Sequence, residues 1–358
     1  MMKISRLGIF TLLLLTVVLG ANCGFYNRVM ARKSLVDGAK AYQERNFEEA
    51  EEKFRASVEY DPELSTLESK TAQLFLARTI HSEFAGNRSA TGKAESAIKE
   101  YKKAMDGFLK QLDEQRAAAQ ANAQDEKAQK ALKETENNIG SIVRAVASLY
   151  ENLQQDDNWI EWQSTQAANE KLPNDVRAGA YVSLAAKEYA CANDITDTED
   201  IKKTVKEDGK DVFKFTKPEN EEDFDKLKKC VDKGTDFIAK GVELNPESDS
   251  AWSYKASLIE QSRRIAEMNG ETEKTASLKE EFAQAKKKFE ELAEKRRLAE
   301  EAELKRIADE KAKKEGRKVK KTDKAEEKPA EEKPAEQKPA EQKPADAPAK
   351  KETDGDGE

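Results

Sequence analysis

Histidine, cysteine and paired carboxylates carry most protein chemistry, and this chain holds few of the first two. His81 is its single histidine, and Cys23, Cys191 and Cys230 are its cysteines. One histidine and three cysteines do not make a classical Cys/His zinc motif, and a Ser-His-Asp triad has only His81 to build on. His81 stands beside Ile80 on the inward register of a helical stretch, where a packed histidine outweighs a catalytic one. Carboxylates are the opposite case. With 71 acidic residues, pairs such as Glu48-Glu49 and Asp156-Asp157 are abundant, and nothing selects one as a glycosidase-like acid pair. No glycine-rich phosphate loop, GxGxxG fingerprint, GxSxG elbow or HExxH helix is present. The basic run Arg317–Lys321 lacks interleaved aromatics and lies beside acidic stretches in a chain of net charge −8. It reads as solvated linker rather than a contact for phosphate or anionic lipid. These residues predict no enzyme, no cofactor, no metal, no nucleic-acid partner and no small-molecule substrate.

The cysteines say more about compartment. Residues 1–23 read as an export leader: Lys3 and Arg6 precede the apolar run Leu7–Gly20, which is shorter than the ~20 residues of a spanning helix. Cys23 directly after this run resembles the lipidated cysteine of a bacterial lipoprotein box, although Asn22 stands where Gly, Ala or Ser is usual and Gly20 where Leu is usual. Ordinary cleavage near Ala21–Cys23 and an uncleaved signal anchor are the alternatives, and all three export the chain. If Cys23 is lipidated, Cys191 and Cys230 remain. They are either a pair, which an oxidising compartment tolerates, or two separate buried helix cysteines.

The elements around these residues are helical. The 358 residues include 37% charged and 37% hydrophobic side chains, with 16 Gly and 9 Pro. That balance suits thin helical layers with much solvent-facing surface and argues against both a single large core and a turn-rich β fold. Within Ala31–Leu64, Gly38 and Tyr42 precede a polar turn at Asn46-Phe47. Ala50, Phe54, Ala56 and Pro62 follow, with Ser57 at the small position after Phe54. This resembles a tetratricopeptide repeat (TPR), a helix–turn–helix unit of about 34 residues. Two antiparallel helices need a small residue at their crossing, here Gly38 against Ala50. Tyr42 and Phe54 fill the space beside it, and Pro62 ends the second helix.

The same grammar recurs more weakly. Leu76-Ala77, Ile80, Ala97, Tyr101 and Ala104 form a second unit, with a longer turn around Gly86–Gly92. In a third, Asn158-Trp159 echo Asn46-Phe47, Trp162 replaces the small residue and Pro173 closes. Tyr181, Leu184, Ala185, Tyr189, Gly234, Ile238, Gly241 and Pro246 make a fourth, and Trp252 with Lys255, Ala256 and Ile259 opens a fifth. An irregular helical bundle is the plainer alternative. A stack of such units is an all-α, TPR-like helical-hairpin solenoid over 31–270, each unit stabilised by its neighbours.

Two segments depart from the repeat. Residues 112–138, rich in Ala, Gln, Glu and Lys, read as extended solvated helix. Residues 201–216 contain Asp208-Gly209 between β-branched and aromatic residues, which predicts an inserted β-hairpin. Such a hairpin leaves room for Cys191, at the end of one helix, to approach Cys230 in the next, paired or not. Residues 271–321 read as a long charged helix or coiled coil. The tail 322–358 repeats EKPAE, EKPAE, QKPAE and QKPAD, a disordered spacer that is an envelope reach element or, more simply, a solubilising tail.

The TPR resemblance implies a non-enzymatic scaffold whose groove accepts a protein or peptide, here exported to the cell envelope, periplasmic and membrane-anchored. Exposed polar positions of the first helices, Lys40, Gln43, Gln73 and Lys255, are the groove candidates, and the hairpin offers a strand edge. A structural tether acting through the charged helix and the Pro-rich spacer is the alternative.

Overall fold

The computed structural model describes residues 6–207 and 209–326, with side chains over 24–206 and 209–313. The side chains of the leader and Cys23, residue Asp208, the side chains of Arg317–Lys321 and the KPAE repeats lie outside these. Two units are present, one ending at Arg296 and one beginning at Arg297.

The first unit is built from helical hairpins: α1 (Arg6–Gln43) with α2 (Phe47–Glu59), α3 (Leu67–Gly86) with α4 (Thr91–Ala121), α5 (Glu126–Asn152) with α6 (Asp156–Ala168), and α7 (Asn174–Thr196) with α8 (Glu221–Leu244). Then come α9 (Asp249–Met268) and the start of α10 (Thr272–Glu326). Each helix packs on the next as far as α9, and α1 also reaches α3, as α7 reaches α9. The chain is an all-α, TPR-like solenoid with one inserted β-hairpin.

The turns show the repeat most clearly. Arg45, Gln154 and Gly270 all adopt positive φ, at 62°, 56° and 73°. At each, the next residue donates its N–H back across the turn: Asn46 to Ala41 O, Gln155 to Tyr150 O and Glu271 to Ala266 O. This is the Schellman closure, which satisfies the last carbonyls of the first helix and reverses the chain. At one common offset before these residues stand Ala31, Gly140 and Ala256, all small and buried. Asn46 then caps α2 by accepting from Glu49 N, and Glu48 and Glu49 sit in the positive first turn.

These turns move the third unit by three residues. Its second helix begins at Asp156 behind Gln155, so Asn158-Trp159 lie inside α6 and do not echo Asn46-Phe47. Trp159 corresponds to Ala50, and Gln163 and Gln166 take the buried places of Phe54 and Ser57. The small position after Phe54 is also clear in space. Ser57 is fully buried and donates to Ala31 O at 2.7 Å, whereas Ala56 is only half-buried.

At the first crossing, a Cβ on Gly38 would lie 2.8 Å from the Phe54 ring and 3.2 Å from Lys53 Cβ. The nearest neighbours of Gly38 are therefore Phe54 and Lys53, not Ala50, although Ala50 is itself fully buried. One apolar cluster runs unbroken from Ala41 to Val176, and smaller clusters follow along α7, α8 and α9. Ala97, Tyr101 and Ala104 lie in the large cluster. The junction after α2 is closed by Asp61. Its carboxylate accepts from the backbone and hydroxyl of Ser65 and Thr66 and from Ser69 Oγ. Partial burial opposes the charge, but these hydrogen bonds outweigh it and hold the carboxyl well below its ordinary range.

Residues 112–138 are not one solvated helix. The chain reverses at Asn122–Asp125, and Asp125 caps α5 by accepting from Lys127 N and Ala128 N. Leu112 and Ala119 are buried, and Gln129 of the returning helix donates to Ala119 O at 3.0 Å. Between α7 and α8, β1 (Lys202–Glu207) pairs antiparallel with β2 (Lys210–Phe215), Val205 opposite Val212, and Gly209 turns at φ 77°. The hairpin docks at its base: Phe215 is buried beneath the Arg264 guanidinium, 4.3 Å away, and Arg264 donates to Thr196 Oγ1. Lys202, Lys203, Lys206, Lys210 and Lys214 line its strands. Lysine-rich edges disfavour indiscriminate strand pairing. At the end of the first unit, Arg296 and Lys295 of α10 pair with Asp249 and Glu247. In the second unit α10 carries intrahelical pairs such as Arg306 with Glu303 and Glu310.

Candidate functional site

The first helices of the hairpins share a side of the stack that is aromatic at one end. Tyr42 meets Phe75 edge-on at 5.9 Å, and Phe75 stacks on Phe54 at 5.5 Å. Tyr42 Oη and Ser82 Oγ are hydrogen-bonded at 3.3 Å, joining α1 to α3. Further along, Arg78 lies 5.4 Å over the Phe75 ring and donates to Ser141 Oγ of α5 at 3.3 Å. Helical spacing places Thr71, Phe75, Arg78 and Ser82 on one face of α3.

Between α3 and α5, floored by α4, is a cavity of about 260 Å³. Thr71, Phe75, Arg78, Glu134 and Asn138 line its walls, with Gln111 and Gln115 beneath. The side-chain carbonyl oxygens of Gln111 and Gln115 are buried and lack a hydrogen-bond partner. A buried acceptor without a donor costs free energy. The site thus presents two side-chain acceptors, with one cationic and one anionic side chain in its walls and the Phe75 ring at one end. That combination suits the amides and side chains of a peptide.

A second, more open cavity of about 500 Å³ lies between α4, α5 and α6, lined by Tyr150, Trp162, Asp106 and Glu161 among others. Lys102 already occupies its aromatic walls, 5.4 Å from the Tyr150 ring and 5.3 Å from the Trp162 ring, and donates to Tyr150 Oη at 2.8 Å. Trp162 is held by its own N–H to Val143 O.

The four groove candidates do not meet in one place. Lys40 and Gln43 are exposed on the last turns of α1, with Lys40 near Glu44. Lys255 lies on α9, its ammonium 4.6 Å from the Trp252 ring. Gln73 is a correction: it is fully buried and donates to Glu100 O and Glu100 Oε2 of α4. It seals α3 against α4 and is not open to a ligand. Trp252 is half-buried and donates to Pro246 O at 2.9 Å, so the two mark one junction. Pro62 is exposed at the end of α2. Arg78, Gln111, Gln115 and Asn138 were not among the expected groove residues. The recurrence of Thr71, Phe75, Arg78 and Ser82 on one helical face was the signal for the first of them.

His81 is half-buried, with Nδ1 3.3 Å from Tyr101 Oη. Burial, then the nearby Arg88, lowers its pKa and so favours the neutral ring. Burial likewise holds the Tyr101 phenol above its ordinary range. Cys191 and Cys230 are joined as a disulfide with Cα atoms 6.1 Å apart. With Glu188 they form a group of potential metal ligands, but both sulfurs are committed to each other. Among the described residues no helix is long and apolar enough to cross a membrane.

No protein-family model and no curated protein matches the chain. Among solved structures it is similar to a monomeric mutant of IFIT1 with Gppp-AAAA, at 14% identity and a TM-score of 0.27, over 64% of this chain and 46% of that one. The chain therefore spans less than half the length of that neighbour, and its fold rests on the hairpin geometry above.

Proposed function

We propose that the chain is a non-enzymatic protein-binding scaffold, exported and tethered in a bacterial cell envelope, that receives a peptide segment of its partner between α3 and α5. The observation carrying this reading is the cavity over Gln111 and Gln115, whose buried acceptors lack donors. Amide and hydroxyl side chains pair with main-chain groups whatever the guest sequence, and Arg78 and Glu134 add charge selection. Export and tethering rest on the leader 1–23, with Cys23 as the lipid acceptor.

The alternative, a tether acting through the charged helix and the KPAE spacer, makes a different forecast. Deleting 322–358 leaves partner capture from intact envelopes unchanged if the cavity is the site, and abolishes the role if the spacer is. The double variant Arg78→Glu, Asn138→Arg keeps its helical signal and lowers capture roughly tenfold or more. Undiminished capture by that variant would contradict the proposal.

A further inference from the structure

Among the described residues, four of the ten exposed large apolar side chains fall on one short stretch of α1: Phe25 at 72% exposure, Tyr26 at 58%, Val29 at 48% and Val36 at 60%. Their spacing puts them on one side of the helix. The opposite side carries Ala31, Gly38 and Ala41, buried in the stack. The stripe is therefore not core that lost its cover through a register slip. It is the outer face of α1, away from α2 and α3.

Charge points to what covers it. Arg32 and Lys33 are exposed beside the stripe, and Arg28, 62% exposed, touches Glu68 of α3 at 3.4 Å. From Gly24 onward α1 has no acidic residue before Asp37. Phe25 follows Cys23 by two positions and the apolar run Leu7–Gly20 by five. A lipid on Cys23 delivers this stripe to a bilayer surface.

We propose that α1 is a bilayer-docking helix that lies in the headgroup layer of an anionic membrane. Phe25, Tyr26, Val29 and Val36 enter the acyl boundary, and Arg32 and Lys33 contact lipid phosphates. Aromatic and aliphatic side chains flanked by cations are the composition of interfacial helices. This orients the solenoid, because the first hairpin then faces the membrane along its length instead of hanging from a point. The inference rests on the tethering reading and is independent of the cavity.

The test uses the full chain purified from membranes and reconstituted into phosphatidylcholine vesicles with or without phosphatidylglycerol. A nitroxide is attached through a ketone-bearing unnatural residue at position 25, 29, 36 or 160, so that all cysteines stay native. Position 160 is the control, since Ile160 is exposed on α6. Docking predicts that labels at 25, 29 and 36 lose access to a water-soluble nickel chelate and gain access to oxygen in the anionic vesicles, while 160 does not change. Arg32→Glu with Lys33→Glu removes the dependence on phosphatidylglycerol. Flotation with the vesicles while 25, 29 and 36 stay as wet as 160 overturns docking and leaves tethering intact. Dipolar broadening between labels at 29 assigns the stripe to a second copy and also overturns docking. Failure to float at all ends both readings.

Discussion

Replacing Phe54 by alanine is expected to destabilise the first hairpins by about 3–5 kcal/mol, the cost of emptying a buried aromatic site. Phe54 is fully buried, stacks on Phe75, and presses on the space that a side chain at Gly38 would occupy. Its removal empties the α1–α2 crossing and takes the support from beneath Phe75, an end of the α3–α5 cavity. The cluster from Ala41 to Val176 is continuous, so this loss lowers the whole transition of the first three hairpins rather than fraying one of them. Urea melts followed by circular dichroism measure it. A change below about 1 kcal/mol, the size of an ordinary substitution, would contradict the packing described.

The second large effect lies at the other end of the first unit. Cys191 of α7 and Cys230 of α8 are 39 residues apart in sequence, and the intervening loop contains the β-hairpin. Closing a loop of that length stabilises by about 4 kcal/mol in the chain-entropy account. The surrounding cluster of Ala192, Phe224, Leu227 and Val231 is small, so a large share of its stability comes from the bond. Burial holds the nearby Glu188 carboxyl above its ordinary range. Reductant, or the variant Cys191→Ser with Cys230→Ser, is expected to melt α7, α8 and the hairpin at lower temperature. The Ala41–Val176 core should be left largely as it was. Equal melting with and without reductant would contradict this.

What the sequence disclosed and concealed follows from where each constraint sits. The β-hairpin was legible because Gly209 and its β-branched neighbours act within a few residues. So was the first unit, whose Gly38, Tyr42, Ala50 and Phe54 lie at family spacing. The register of the third unit was hidden because Gln154, a residue with no turn preference, takes the left-handed conformation that Gly270 takes openly. Arg45 does the same in the first unit, where the capping Asn46 betrayed the turn. Gln73 was misplaced for another reason: the partner that draws it inward, Glu100, lies on the next helix, beyond the reach of local pattern. The reversal at Asn122–Asp125 was masked by good helix formers on both sides. The cavity is assembled from three helices, and no single segment announces it.

On the proposed function a partner enters between α3 and α5. The most direct measurement places a photo-crosslinking residue singly at 71, 111 and 138, and at 95 and 99 on the exposed side of α4, in the full chain in intact envelopes. The account predicts one shared crosslinked partner from 71, 111 and 138 and none from 95 or 99. The same partner captured from 95 and 99, with nothing from the three cavity positions, would contradict it.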